Sequence, residues 1–302
     1  MTLPNFFVIG APRCGTSSLF DGIRQHPEIF MSPVKEPWYF SIGVRDEPFR
    51  GPKDIDFNLY LSRSEYEELF SGVGDEAVVG EASTDYLYSD SALEALRQEF
   101  PNAKLVVILR NPADRAYSQY IQHVSQMREP CHCFWEAIEL EEERKKEDWC
   151  HYWFYRSLGF YGRQLSRYRQ HFDADQIKVF LLEDLLASPD ELYRELFDFL
   201  GVDSSFSPDL QEDARNASSL PKSRWMHDAL TQPSAIRALV RRTTPRHLRV
   251  AAIKWIGARR KTVKPPGLAL EDRERLIDGY RDDIELLESL VDRNFSQWLG
   301  QT

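Results

Sequence analysis

Short apolar runs rich in β-branched residues alternate along the chain with longer segments whose apolar positions recur every three to four residues. Four of these runs, residues 6–9, 77–80, 105–109 and 177–182, read as strands buried on both faces, the pattern of a parallel sheet. A helical pattern follows each. The first spans 16–25 and stops near His26-Pro27; the second spans 91–99, ahead of Pro101. The third starts at Pro112 and runs through Tyr117 and Ile121, proline being tolerated in a first turn because its missing N–H has no helical partner there. Residues 161–169 and 189–200 read as further helices, the latter capped by Ser188 and ended near Gly201. Residues 203–223, rich in Ser, Asp and Pro, read as loops. Lys264-Pro265-Pro266-Gly267 is a break, and a last helix is expected over 270–290. The alternation predicts an α/β fold: a doubly wound, mainly parallel sheet flanked by helices, with a helical C-terminal region and ligands at the carboxyl ends of the strands.

The chain has 302 residues, 42% hydrophobic and 13% aromatic, which suits one large core and a single domain over 1–302. A net charge of −10 weighs against a general polyanion binder, so no nucleic-acid partner is expected. The charge is uneven. From Arg237 to Lys264 there are ten Lys/Arg and no acidic residue. This basic segment, within 225–264, reads either as a lid or acceptor-side subregion, with a peripheral membrane contact as its weaker variant, or as a solvated helical face. No run is long enough to span a bilayer, and residues 6–9 are too short for a signal segment, so a cytoplasmic location is expected if Met1 is the natural start. The four cysteines, Cys14, Cys131, Cys133 and Cys150, fit neither zinc-ribbon spacing nor a disulfide framework and read as reduced thiols.

Two stretches carry chemistry. In Phe6-Phe7-Val8-Ile9-Gly10-Ala11-Pro12-Arg13-Cys14-Gly15-Thr16-Ser17-Ser18 a buried strand runs into a loop whose glycines are spaced as in a P-loop, so backbone N–H groups can turn onto an anion at a helix N-terminus. The lysine of a nucleotidase loop is absent, and the cation is Arg13 instead. In the second stretch, Arg110 closes a strand and Ser118 follows about two helical turns later, so both can reach one anion. A nucleotidase more often places a metal-binding aspartate at such a strand end.

Two anion sites suit a nucleotide phosphorylated at both ends of its ribose, and with these motifs the chain resembles the PAPS-dependent sulfotransferases. PAPS, 3′-phosphoadenosine 5′-phosphosulfate, is their sulfuryl donor. The resemblance is closest to the carbohydrate, heparan-type branch and its bacterial relatives. It extends through His26-Pro27, Lys35-Glu36-Pro37-Trp38-Tyr39-Phe40, Glu81 to Tyr86, Tyr161 to Leu165, Phe180 to Leu200 and Tyr280 to Trp298, nearly the whole chain. It implies that Glu36 is the catalytic base, that Arg13 stabilises the charge of transfer, and that no metal is required. Donor contacts would come from Arg13, Cys14, Gly15, Thr16, Ser17, Ser18, Arg110, Ser118 and Tyr161. The product would be adenosine 3′,5′-bisphosphate and the acceptor a small-molecule, saccharide or lipid-like hydroxyl. A carboxylate beside Trp38, Tyr39 and Phe40 is also expected to be partly shielded from water.

The chain departs from the family pattern in three places. Arg13 stands where lysine is usual. Ala82 follows Glu81 where heparan-type members carry a catalytic lysine, a role left vacant or filled by Lys35. The family's Lys-Gly-Arg clamp has no faithful match, and Arg215, Lys222 and Arg224 are positional candidates. His123 and His132 read as structural or surface histidines rather than bases. The aromatic cluster Trp149, Tyr152, Trp153, Phe154 and Tyr155 reads as core, with an acceptor pocket as the alternative. The competing functions are a P-loop nucleotide or small-molecule kinase and a non-catalytic nucleotide-binding module.

Overall fold

The computed structural model describes residues 3–45, 49–51, 62–210, 220–221, 262–263, 267–291 and 293–300. Its first half lays down β1 (Phe6–Gly10), α1 (Thr16–Ile23), β2 (Ile29–Met31), α2 (Arg63–Glu68), β3 (Val78–Ala82), α3 (Asp90–Glu99), β4 (Lys104–Leu109) and α4 (Pro112–Ser125). The short helices α5 (Phe134–Glu139) and α6 (Glu141–Lys146) lead to α7 (Tyr161–Arg169), β5 (Ile177–Leu181), α8 (Leu182–Ala187) and α9 (Pro189–Leu200). All pairings of the main sheet are parallel, in the order β2-β3-β1-β4-β5. The residues of β1 and β3 are all buried, as a sheet covered on both faces requires.

The four expected strands are all present, with shifted ends. Residues 81 and 82 extend β3, while Leu182 leaves β5 and opens α8. Three differences are larger. The edge strand β2 was not expected: three residues are too short to show a period, and its evidence is the pairing with β3. Within the expected loop 203–223, Leu220–Pro221 pairs antiparallel with Thr262–Val263 as β6 and β7. The last helix is two, α10 (Leu270–Asp278) and α11 (Arg281–Leu290), because the fully buried Tyr280 turns inward between them and donates to the Arg156 carbonyl at 2.9 Å. The basic segment lies almost wholly outside the described residues.

Caps fix the elements that matter for the site. Asn111 Oδ1 accepts from the N–H groups of Ala113 and Asp114, starting α4 directly after Arg110, with Pro112 in its first turn. Asp283 of α11 accepts from Gly162 N at 2.8 Å and Arg163 N at 2.9 Å, capping α7 beside Tyr161. In the aromatic cluster, Trp153 and Tyr155 are fully enclosed, as a core role demands. Their neighbour Glu129 is paired with Arg144 at 2.7 Å inside the same core and accepts from the Tyr155 hydroxyl.

Candidate active site

The loop after β1 enters α1 through Gly15, whose φ of 90° places it in the left-handed region. A Cβ there would also lie 2.7 Å from Leu182 Cδ1, so glycine is required twice over. Gly15 makes no side-chain cap, which leaves the first-turn amides of Thr16, Ser17 and Ser18 turned toward the loop's interior. The side chain of Thr16 is nearly buried and that of Ser17 is exposed. Cys14 and Tyr161 lie inward of the loop. The Cys14 side chain is fully buried with its sulfur 3.6 Å from the equally enclosed Tyr161 hydroxyl, and its backbone N–H donates to Ala11 O. These two side chains pack against each other beneath the loop.

Arg13 reaches across to the second motif. Its Nε donates to Ser118 Oγ at 3.1 Å, which joins the loop after β1 to the helix after β4. Burial, and then the neighbouring Arg110 guanidinium, lower the Arg13 pKa from its ordinary value, with Arg115 acting in the same sense. Arg110 is half-buried and makes no hydrogen bond or ion pair with another described residue. Arg115 is fully buried; its Nη2 donates to the Tyr155 carbonyl, and its Nε and Nη1 have no partner among the described residues. Three like charges gathered at one strand end suit an anion. Arg115 was missed from sequence, although it stands inside the Arg110 to Ser118 motif.

On the other side of β1, the segment after β3 holds Glu36. The backbone N–H of Glu36 donates to Ala82 O at 2.8 Å. Its carboxylate accepts from Thr84 N at 2.9 Å, Thr84 Oγ1 at 2.8 Å and Lys35 Nζ at 2.9 Å. The Glu36 side chain is largely shielded from water, 19% of it being exposed, but by polar neighbours rather than by the aromatic run. Tyr39 and Phe40 turn away to pack on Tyr66, and Trp38 donates through Nε1 to Tyr152 Oη, so polar donors surround the carboxylate instead. Lys35 thus sits against the acid. Thr84 was not singled out from sequence, though it lies within the Glu81 to Tyr86 motif.

Adjacent strands lie about 4.8 Å apart, so the ends of β3, β1 and β4 bring Glu36, the glycine loop and Arg110 to one edge of the sheet. Beyond Thr84, the buried Asp85 lies 3.1 Å from His151 Nε2. His151 borders a cleft of about 540 Å³ that Tyr88, Trp149, Phe154, Arg45 and Arg167 also line. The aromatic cluster is therefore split, Trp149 and Phe154 reaching the cleft and Trp153 and Tyr155 the core. His123 is buried, 3.0 Å from the Tyr155 hydroxyl, and burial holds its pKa well below the ordinary value; His132 is exposed. Arg215, Lys222 and Arg224 lie outside the described residues.

Comparison with known proteins gives a consistent picture. Residues 57–208 match the sulfotransferase family. Human carbohydrate sulfotransferase 15 is 28% identical over 247 residues, covering 66% of this chain and 44% of that protein. Human bifunctional heparan sulfate N-deacetylase/N-sulfotransferase 3 is 28% identical over 66% of this chain and 22% of its own length. The chain thus spans less than half the length of these curated relatives. The solved structure of a sulfotransferase from Alicyclobacillus acidocaldarius aligns over 99% of both chains with a TM-score of 0.76 and 33% identity.

Proposed function

The chain belongs to the sulfotransferase family, and from that premise we propose that it transfers the sulfuryl group of PAPS to an acceptor hydroxyl with Glu36 as general base. The acceptor oxygen bonds to sulfur as the bond from sulfur to the bridging phosphate oxygen breaks, and the acceptor's proton passes to the Glu36 carboxylate. Thr84 and Lys35 hold that carboxylate in one orientation, as a base that must meet an in-line nucleophile requires. Arg13 and the first-turn amides of α1 stabilise the charge that grows on the departing phosphate. Arginine scarcely donates its proton, so Arg13 acts through charge and hydrogen bonding. Arg110 and Ser118 bind the 3′-phosphate. Donor and acceptor both belong to one domain, and the aromatic-lined cleft beside His151 takes the acceptor, a saccharide or another hydroxyl compound with apolar faces.

The observation that carries this reading is the bond from Arg13 to Ser118, which links two anion-binding motifs at neighbouring strand ends. The test is thermal unfolding with adenosine 3′,5′-bisphosphate against ATP plus Mg²⁺. A ligand present at a hundred times its Kd adds about 2.7 kcal/mol to stability. Stabilisation by the bisphosphate, abolished by Arg110→Ala, is expected; stabilisation by ATP with Mg²⁺ alone would transfer support to a kinase.

A further inference from the structure

Next to Ala82, at the end of β3, Glu81 is completely enclosed. Its Oε2 accepts from Tyr66 Oη at 2.7 Å and Tyr86 Oη at 3.2 Å, and the Ser83 hydroxyl also favours its charged form. Oε1 has no hydrogen-bond partner among the described residues. Burying a carboxyl group so incompletely paired is costly, and the groups around it show what it is there for. Each has a second task. Tyr86 Oη accepts from the backbone N–H of Phe40 at 3.3 Å, and Ser83 Oγ accepts from that of Trp38 at 3.1 Å. The Tyr66 ring stacks on Tyr39, with centroids 4.4 Å apart and planes inclined by 14°. Trp38, Tyr39 and Phe40 belong to the turn that begins at Glu36. Within it Glu36 and Trp38 have φ of 60° and 53°, left-handed values that non-glycine residues hold where their surroundings over-determine them.

We propose that Glu81 is a positioning residue for Glu36: its carboxylate obliges the Tyr66 and Tyr86 hydroxyls to donate toward it, so that the Tyr86 oxygen accepts from the Phe40 amide and the Tyr66 ring is held against Tyr39 in the Glu36 turn. A hydroxyl has one proton to give. While Glu81 is an anion, that proton is committed and the direction of each bond is fixed. Once Glu81 carries a proton it becomes a donor itself, and the tyrosine hydroxyls are released to rotate.

The charge state is within experimental reach. Burial pushes the Glu81 carboxyl up to about 7, the nearby Asp85 adding to the effect and the Ser83, Tyr66 and Tyr86 hydroxyls opposing it. The titratable groups facing it are Tyr66 from α2, and Asp85 and Tyr86 from the segment after β3; Phe7 of β1, its cross-strand neighbour, is apolar. The arrangement is therefore complete above about pH 8 and is lost as pH falls through about 7.

The catalytic consequence rests on the reading of Glu36 as base, whereas the positioning does not, so the test has two readouts. Hydrogen–deuterium exchange over residues 36–43, corrected for intrinsic rate, is compared in the full chain and in Glu81→Gln at pH 6 and pH 8. At pH 8 the Phe40 amide is expected to exchange at least tenfold faster in the variant. Wild-type protection is expected to fall toward pH 6, and that of the variant to stay flat. In turnover, kcat is expected to drop at least tenfold with KM and bisphosphate affinity held within twofold. Tyr86→Phe keeps the Glu81 charge and removes the acceptor of the Phe40 amide; it reports on the same link if Glu81→Gln does not fold. Unchanged protection of 36–43 in both variants would overturn the proposal, as would protection lost evenly across the whole sheet. Faster local exchange with unchanged turnover would uphold the positioning and remove Glu36 from its role as base.

Discussion

Arg13 and Ser118, 105 positions apart in sequence, meet through a 3.1 Å hydrogen bond from Nε to Oγ. That single contact makes one site of two motifs, because it holds the loop cation in register with the strand end that carries Arg110. A hydrogen bond to a charged group is worth about 1.5–3 kcal/mol. Ser118→Ala is accordingly expected to weaken adenosine 3′,5′-bisphosphate binding by roughly 10- to 150-fold. Arg110→Ala, which removes a charge that has no partner among the described residues, is expected to cost at least as much. Isothermal titration calorimetry of both variants checks the order.

Glu36→Gln keeps the shape of the side chain and removes its basicity. Turnover is expected to fall by about 10²–10⁴, while bisphosphate affinity stays within a factor of two, since the donor site lies on the other side of β1. Single-turnover kinetics with a transferable acceptor, alongside calorimetry, separates the two effects.

Gly15→Ala places a methyl group on a left-handed residue and against Leu182. Strain and overpacking together are expected to destabilise the fold by about 2–4 kcal/mol and to misdirect the first-turn amides of α1. Urea unfolding and bisphosphate titration of the same variant should therefore both show losses.

The raised Glu81 carboxyl makes stability depend on pH. Its ordinary value is 4.5 and its folded value about 7, so the folded chain holds the proton more tightly. The resulting stabilisation is full below pH 4.5 and is lost as pH rises through about 7, by up to about 3 kcal/mol. Glu81→Gln lacks that loss. Relative to the variant, wild type is expected to become less stable between pH 5 and pH 8, as read by chemical denaturation, although the same ionisation orders the Glu36 turn. Stability and site geometry are set against each other at this one residue.

All four cysteines are free thiols, and three are buried. Burial pushes the Cys14 thiol up to about 11 and the Cys131 thiol up to about 12, and that of Cys150 higher still. Thiolate is the reactive form. Brief alkylation of the native chain at pH 7.5 is expected to modify Cys133 alone, as peptide mass spectrometry would show.

Much of this was legible in the chain itself, for identifiable reasons. The strands that became β1, β3, β4 and β5 are mostly apolar runs, and Gly15 is demanded by a local turn, so neighbours in sequence carry the signal. Arg110 and Ser118 sit on one helix start and are related by its pitch. What escaped depends on partners far away. The three residues of β2 are a strand because β3 lies beside them. The inward turn of Tyr280 that splits α10 from α11 depends on a carbonyl at position 156. The polar cradle of Glu36 comes from Thr84, 48 positions on.

The order β2-β3-β1-β4-β5 sets the two halves of the proposed chemistry on opposite flanks of β1. Arg110 and Ser118 lie toward β4, while Glu36, Thr84 and the cleft beside His151 lie toward β3. Mutations that reshape the β3 flank can therefore accumulate without disturbing recognition of the nucleotide. A lineage built on this plan can try new acceptors while its donor stays the same, and divergence in acceptor choice is what the plan makes easy.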